Sequence, residues 1–242
     1  MIPLKDDTPH FSTPLITLFL IGANALVFLF ELSLNHRAET VFFQTFGLVP
    51  ARLVEALGLS GAPLHPHLHA AISPTVALLP VLTSMFVHSG WWHILMNMWF
   101  LWVFGRNVEE ALGHFPYLLF YLACGFAAAV VQTIASPAST IPTVGASGAI
   151  AGIMGSYFVL YPRARVLMLV PFLFVFFLWL PAWAVLGYWF VLQFLSGVGS
   201  ALVAGGQDTG GVAFWAHIGG FIAGYFLVRV FPARIRRYRY GY

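Results

Sequence analysis

Gly145-Ala146-Ser147-Gly148-Ala149-Ile150-Ala151-Gly152-Ile153-Met154-Gly155 opens an uncharged stretch, and about seventy residues later Ala216-His217-Ile218-Gly219-Gly220 stands inside a second apolar one. A serine framed by glycines and a histidine are poor residues to turn toward lipid. Together they form a nucleophile and its base. The pairing predicts a hydrolytic site buried in a membrane-embedded helical bundle.

Composition agrees. The chain has 242 residues, 60% hydrophobic and 8% charged, with mean hydropathy +0.86. Soluble domains carry roughly 25% charged residues. Several stretches approach the ~20 apolar residues that cross ~30 Å of hydrocarbon. The expectation is all-α: one polytopic membrane domain with a short segment 1–13, a six-span core at about 14–230 and a basic tail 231–242. A β-barrel would show short alternating segments instead. Cys124 is the single cysteine, so no internal disulfide can form. The net charge of +3 comes largely from arginines near helix ends, which suits topology rather than nucleic-acid binding. Leu15–Phe30 passes into Glu31 without a small-residue cleavage pattern, so it reads as a retained span.

The expected spans are Pro14–Leu32, Trp91–Phe104, Phe115–Ile134, Ser147–Leu160, Pro181–Gly197 and Ala213–Val230. Between them, 166–206 holds no charge and is broken by Pro171 and Pro181. It could be two tight spans, but charge argues otherwise. Six spans place Lys5, Arg106, Arg163, Arg165, Arg234, Arg236, Arg237 and Arg239 on one side and only Arg37 and Arg52 on the other. That is a strong positive-inside bias. Val166–Leu180 is therefore expected to be an interfacial or partly helical lead-in to the fifth span. The apolar connection 33–80 is expected to lie on or partly in the outer leaflet. The glycine-rich loop 205–211 is the natural lid.

Direction then organises the chemistry. The second, fourth and sixth spans all begin on the external side, bringing His93, Ser147 and His217 to similar depth. His217 is the base available to Ser147. Because no Asp or Glu lies in the neighbouring spans, a Ser–His dyad is favoured over a triad. The backbone N–H of Ser147 at a helix N-terminus, and His93 and Asn97 on one helix face (i, i+4), can donate to a developing oxyanion. Gly148, Gly152 and Gly155, with Gly220 and Gly224, permit close helix approach. This chemistry needs no cofactor or metal, and none is expected.

The pattern Gly145-Ala146-Ser147-Gly148, His93-x-x-x-Asn97 and Ala216-His217-x-x-Gly220-x-x-x-Gly224, with Gly105-x-x-x-Glu109-x-x-x-Gly113 after the second span, resembles the rhomboid intramembrane serine proteases. The resemblance covers about residues 14–230. It implies a Ser147–His217 dyad, His93 and Asn97 around the oxyanion, and lateral access for a substrate helix near the fifth span. It also implies cleavage near the outer membrane face. A prokaryotic plasma membrane with both termini cytoplasmic is expected, an organelle membrane being the alternative. The partners implied are transmembrane protein substrates and the bilayer. Two positions depart. Leu79-Pro80 stands where some members carry Trp-Arg, and Ala151 where some carry a tyrosine that stacks on the base. Tyr157 and Trp215 are the aromatic candidates to hold His217 instead.

Plainer readings exist for each residue alone: Ser147 as a small packing residue, His217 as a relay, His93 and Asn97 as an interhelical pair. Two rival functions follow, a transporter with a histidine-lined path and an inactive relative that binds transmembrane helices. Glycines around the serine argue against the first, and retention of both nucleophile and base against the second. His88 reads as a loop brace, Glu109 as a cap on the inner end of the second span, and Asn24, Gln132 and Gln193 as interhelical hydrogen-bond partners. His65-x-His67-x-His69 would be at most an adventitious metal cluster, and Arg234–Arg239 an anionic-lipid contact.

Overall fold

A computed structural model describes residues 1–59, 74–172, 174–203 and 211–231. The histidines at 65–69, the loop at 205–211 apart from Gly211, and the arginines at 234–239 lie outside the described residues.

Ten helices carry the described fold: α1 (Leu15–Glu31), α2 (His36–Phe46), α3 (Pro50–Ala56), α4 (Pro74–Thr83), α5 (Trp91–Phe100), α6 (Arg106–Leu112), α7 (His114–Ala135), α8 (Ser147–Leu160), α9 (Ala182–Val203) and α10 (Phe214–Leu227). A helix lies within each of the six stretches named from the sequence. α7 and α9 are each long and apolar enough to cross a membrane alone. The second expected span does not stop at Phe104. A π-helical turn, Leu101–Gly105, carries α5 into α6. The path Trp91–Leu112 is about 33 Å long at ~1.5 Å per residue.

α8 is the axis, packed by α10, α7, α9 and the π-helical turn. Residues 148 to 157 are all buried, as expected of a helix surrounded by others. The outer helices invert the soluble pattern. α1 buries Thr17, Leu20, Asn24, Phe28 and Glu31 on one stripe and turns Leu18, Phe19, Leu26 and Leu29 outward. Its first turn is capped by Glu109, whose carboxylate accepts from the N–H groups of Ile16 and Thr17 at 2.8 Å each and from Thr17 Oγ1 at 2.7 Å. These are donors that a helix start leaves unpaired. Glu109 thus pins α6 to α1. Asn24 bonds within its own helix, to Leu20 O, not between helices.

One segment departs from the all-α expectation. Residues 165–181 form neither span nor helix but an antiparallel hairpin, β2 (Arg165–Phe172) and β3 (Phe174–Pro181), with β1 (Ile2–Asp6) added to the free side of β2. Proline disfavours helix at 171 and 181, and the Val/Phe/Trp-rich run suits strands. Val166 and Met168 alternate inward. The hairpin returns the chain to where it left: Ala182 N donates to Ala164 O at 2.8 Å. α9 therefore starts at the end of the bundle where α8 finishes. Asp6, at the end of β1, accepts from Arg106 Nη2 at 3.1 Å, Tyr157 Oη at 2.6 Å, and Asn107 Nδ2.

At the opposite end, the connection from α1 is anchored beside the start of α8. Leu48 and Thr143 exchange backbone hydrogen bonds of 2.9 and 2.7 Å, and Thr83 Oγ1 donates to Phe46 O at 2.8 Å. Leu79-Pro80 falls inside α4.

Candidate active site

Ser147 is the first residue of α8. The turn that presents it requires glycine at 145, for two reasons. Its φ is +119°, a region costly for other residues. A Cβ there would also sit 2.6 Å from His93 Nε2. Gly145 N donates to Ser84 O at 2.8 Å, tying the turn to the loop before α5.

His217 lies in the first turn of α10, and small residues bring it to Ser147. A Cβ on Gly220 would strike the carbonyl of Gly148, and one on Gly224 the carbonyl of Gly152. Gly155 meets Phe221 O in the same way, and Gly152 leaves room for Cys124. The α8 and α10 backbones are thus in direct contact, as GxxxG spacing permits. Gln132 on α7 accepts from Ala216 N at 3.2 Å, satisfying one donor of the α10 start.

The result is a hydrogen bond of 2.7 Å between Ser147 Oγ and His217 Nε2. On the other side of the ring, Gln193 Oε1 lies 2.8 Å from Nδ1. An amide oxygen can only accept, so Nδ1 carries the proton and Nε2 presents its lone pair to the serine hydroxyl. Trp189 flanks the imidazole, ring centroids 5.8 Å apart. The two aromatics expected to hold the ring lie elsewhere. Tyr157 bonds Asp6 and Thr8, and Trp215 packs beside Gly197. Ala151 is fully buried near Gly220.

His93 Nδ1 faces two groups of Ser89, the Oγ at 3.1 Å and the backbone N–H at 3.5 Å. The backbone N–H can only donate, which leaves the His93 proton on Nε2, beside Gly145. Asn97, one turn on, is buried, and its Nδ2 has no hydrogen-bond partner among the described residues. It lies 3.6 Å from where a Gly145 Cβ would be. His88 braces the loop: its backbone N–H donates to Glu31 at 3.2 Å, and its Nδ1 contacts Phe86 O at 3.3 Å. Burial, and secondarily nearby His93, push the His88 imidazole down to about 4. His93, Asn97, Ser147, Trp189 and His217 line one cavity of about 710 Å³. Among the described residues no cluster of His, Cys, Asp or Glu is arranged to hold a metal.

Four of the residues read from the sequence, His93, Asn97, Ser147 and His217, thus meet at one end of the bundle. Gln193, expected as an interhelical partner, contacts the base itself, which the sequence does not reveal. Trp189 was not singled out. Their i, i+4 spacing on α9 was the available signal, as one face of an otherwise apolar helix.

A helical bundle with a serine and a hydrogen-bonded histidine at the starts of two glycine-packed helices defines a narrow class. The rhomboid domain profile matches residues 77–234, and the chain belongs to the rhomboid family, whose members are integral membrane proteins. Similar proteins include Rhomboid protein 1, mitochondrial, of Saccharomyces cerevisiae, 32% identical over 96 residues covering 38% of this chain and 28% of that protein. Rhomboid-like protein 11, chloroplastic, of Arabidopsis thaliana is 41% identical over 71 residues, 29% of this chain and 25% of that one. Rhomboid protease GluP of Bacillus subtilis is 29% identical over 146 residues, 60% of this chain and 24% of that one. The matched part of the chain spans about a quarter of the length of each of these relatives.

Proposed function

We propose that this chain is an intramembrane serine endopeptidase. Ser147 is its nucleophile and His217 its general base. The observation that carries the reading is the 2.7 Å hydrogen bond from Ser147 to a His217 ring whose other nitrogen is held by an acceptor. A neutral imidazole in that tautomer takes the hydroxyl proton as Oγ attacks a carbonyl, then returns it to the leaving amine. The backbone N–H of Ser147, the unpartnered Asn97 amide and His93 Nε2–H are the donors for the oxyanion.

Six spans, with the hairpin and both termini on the cytoplasmic side, accord with the basic residues around α6 and β2 and with the shared starting end of α5, α8 and α10. The single domain is the whole bundle. The substrates are transmembrane helices, cut near the external end of their spans. A helix must unwind to expose its scissile carbonyl, and unpaired backbone groups in lipid cost several kcal/mol each. Cleavage therefore falls where Gly, Pro or polar residues already loosen the substrate. The breadth of the match to the Bacillus protein favours a bacterial plasma membrane.

The test is cleavage of a single-span reporter carrying a Gly-Pro site near its external end. Ser147→Ala and His217→Ala should each abolish cleavage while the protein stays folded. The double variant should be no worse, because residues acting as one unit are not additive. Substantial turnover by Ser147→Ala would overturn the reading.

A further inference from the structure

We propose that Gln193 is a positioning residue for the base, and that the seating of α9 on α10 is what arms the Ser147–His217 pair. This deepens the protease reading and rests on it.

A neutral imidazole has two tautomers, and only the one protonated on Nδ1 leaves a lone pair on Nε2 for the serine proton. Something must select it. Among the described residues the hydrogen-bond partner of Nδ1 is Gln193 Oε1, at 2.8 Å, and no carboxylate bonds the ring. Gln193 therefore occupies the place that an aspartate fills in a Ser–His–Asp triad. It accepts the Nδ1 proton throughout, and its carbonyl dipole faces the imidazolium formed when Nε2 takes the serine proton.

Its position depends on α9 alone. Ala182, Leu186, Trp189, Gln193 and Gly197 recur every three or four residues and form one stripe. Ala182, Leu186 and Gly197 are buried; Trp189 flanks the His217 ring, and Gly197 seats against Phe214 and Ile218 of α10. Phe190 adds a ring contact with Phe221 of α10, centroids 4.8 Å apart, but Trp183, Tyr188, Val191, Leu192, Phe194 and Leu195 are exposed. Hydrogen bonds fade beyond roughly 3.5 Å. A shift of α9 by about 1 Å thus releases Nδ1 while leaving Ser147 and His217 on their own helices undisturbed.

Gln193→Met keeps the bulk and removes the acceptor, and Gln193→Glu keeps an acceptor. Both are compared with wild type and Ser147→Ala for reporter cleavage, labelling rate with a small fluorophosphonate, and Tm. Gln193→Met should lower kcat about tenfold, the scale of one lost hydrogen bond, with KM within about twofold. Its labelling rate should fall in parallel, because the base serves both reactions. Gln193→Glu should recover most of the loss. Unchanged kcat in Gln193→Met, or a glutamate variant as slow as the methionine one at equal Tm, would overturn the positioning role. If the methionine variant unfolds, near-wild-type turnover by Gln193→Glu supports the role and a slow, folded Gln193→Glu overturns it. Cleavage surviving Ser147→Ala would instead overturn the protease reading, and this inference with it.

Discussion

The α8–α10 interface and the seat of α9 hold the same imidazole by opposite means. Between α8 and α10, Gly155, Gly220 and Gly224 put backbone on backbone with no room for a Cβ, while Gly148 and Gly152 give way to Ala128 and Cys124 of α7. Nothing there can adjust by a rotamer change. On α9, one face makes the contact, with Trp189 and Phe190 packed beside His217 and Phe221, and Trp183, Tyr188, Val191, Leu192, Phe194 and Leu195 face outward. Ser147 and His217, the proposed nucleophile and base, are fixed to each other by the rigid pair, while the acceptor at His217 Nδ1, Gln193, stands on the more exposed α9. The contrast separates two properties, the existence of the dyad and its readiness.

Four substitutions probe the two sides, in decreasing order of expected effect. Gly220→Val, on the rigid side, forces a side chain into the Gly148 carbonyl. Overpacking alone costs roughly 1–3 kcal/mol, and here the obstacle is main chain. The variant should lose several kcal/mol, read as a large drop in Tm, with no measurable activity. A stable, active Gly220→Val would refute the close backbone contact. Asn97→Ala leaves both interfaces intact and removes one proposed oxyanion donor. It should lower kcat about 10²–10³-fold, with a smaller change in KM. A change mainly in KM would make Asn97 a binding or structural group.

Gly197→Leu, on the loose side, crowds Phe214 and should lift α9 from its seat. Turnover should fall about tenfold, the cost of the one hydrogen bond from Gln193, with Tm nearly unchanged. Combined with Gln193→Met it should add little, since both act through one contact. Full additivity would show that Gly197 acts by another route. The smallest effect is expected on the outward face. Leu195→Ala should change kcat by less than about twofold, as usual for surface sites away from special features. A large loss there would mean that the outer face of α9 also touches the reacting groups.

The helices were legible because each starts or stops at a residue with a reason: Pro14 before α1, the Gly145 turn before α8, Pro181 before α9. The level shared by His93, Ser147 and His217 followed from span direction alone. The hairpin was not legible. In a charge-free apolar run, hydropathy does not separate strand from helix, and its pairing depends on β1, far away at Ile2–Asp6. The partner of His217 Nδ1 was hidden for a related reason. Gln193 stood out as polar, but the rotation of α9 that aims it is set by Leu186 and Gly197. Tyr157 looked free to stack on the base, and only the fold reveals that Asp6 takes its hydroxyl.

Under the proposed function, Ser147 is a nucleophile activated by His217. Intact-protein mass spectrometry after treatment with a fluorophosphonate reads this directly, without knowledge of the substrate. One adduct should form, map to Ser147, and vanish in Ser147→Ala. In folded His217→Ala it should form at least 10²-fold more slowly, the scale of general-base catalysis. An adduct on another residue, or labelling at the wild-type rate without His217, would contradict the account.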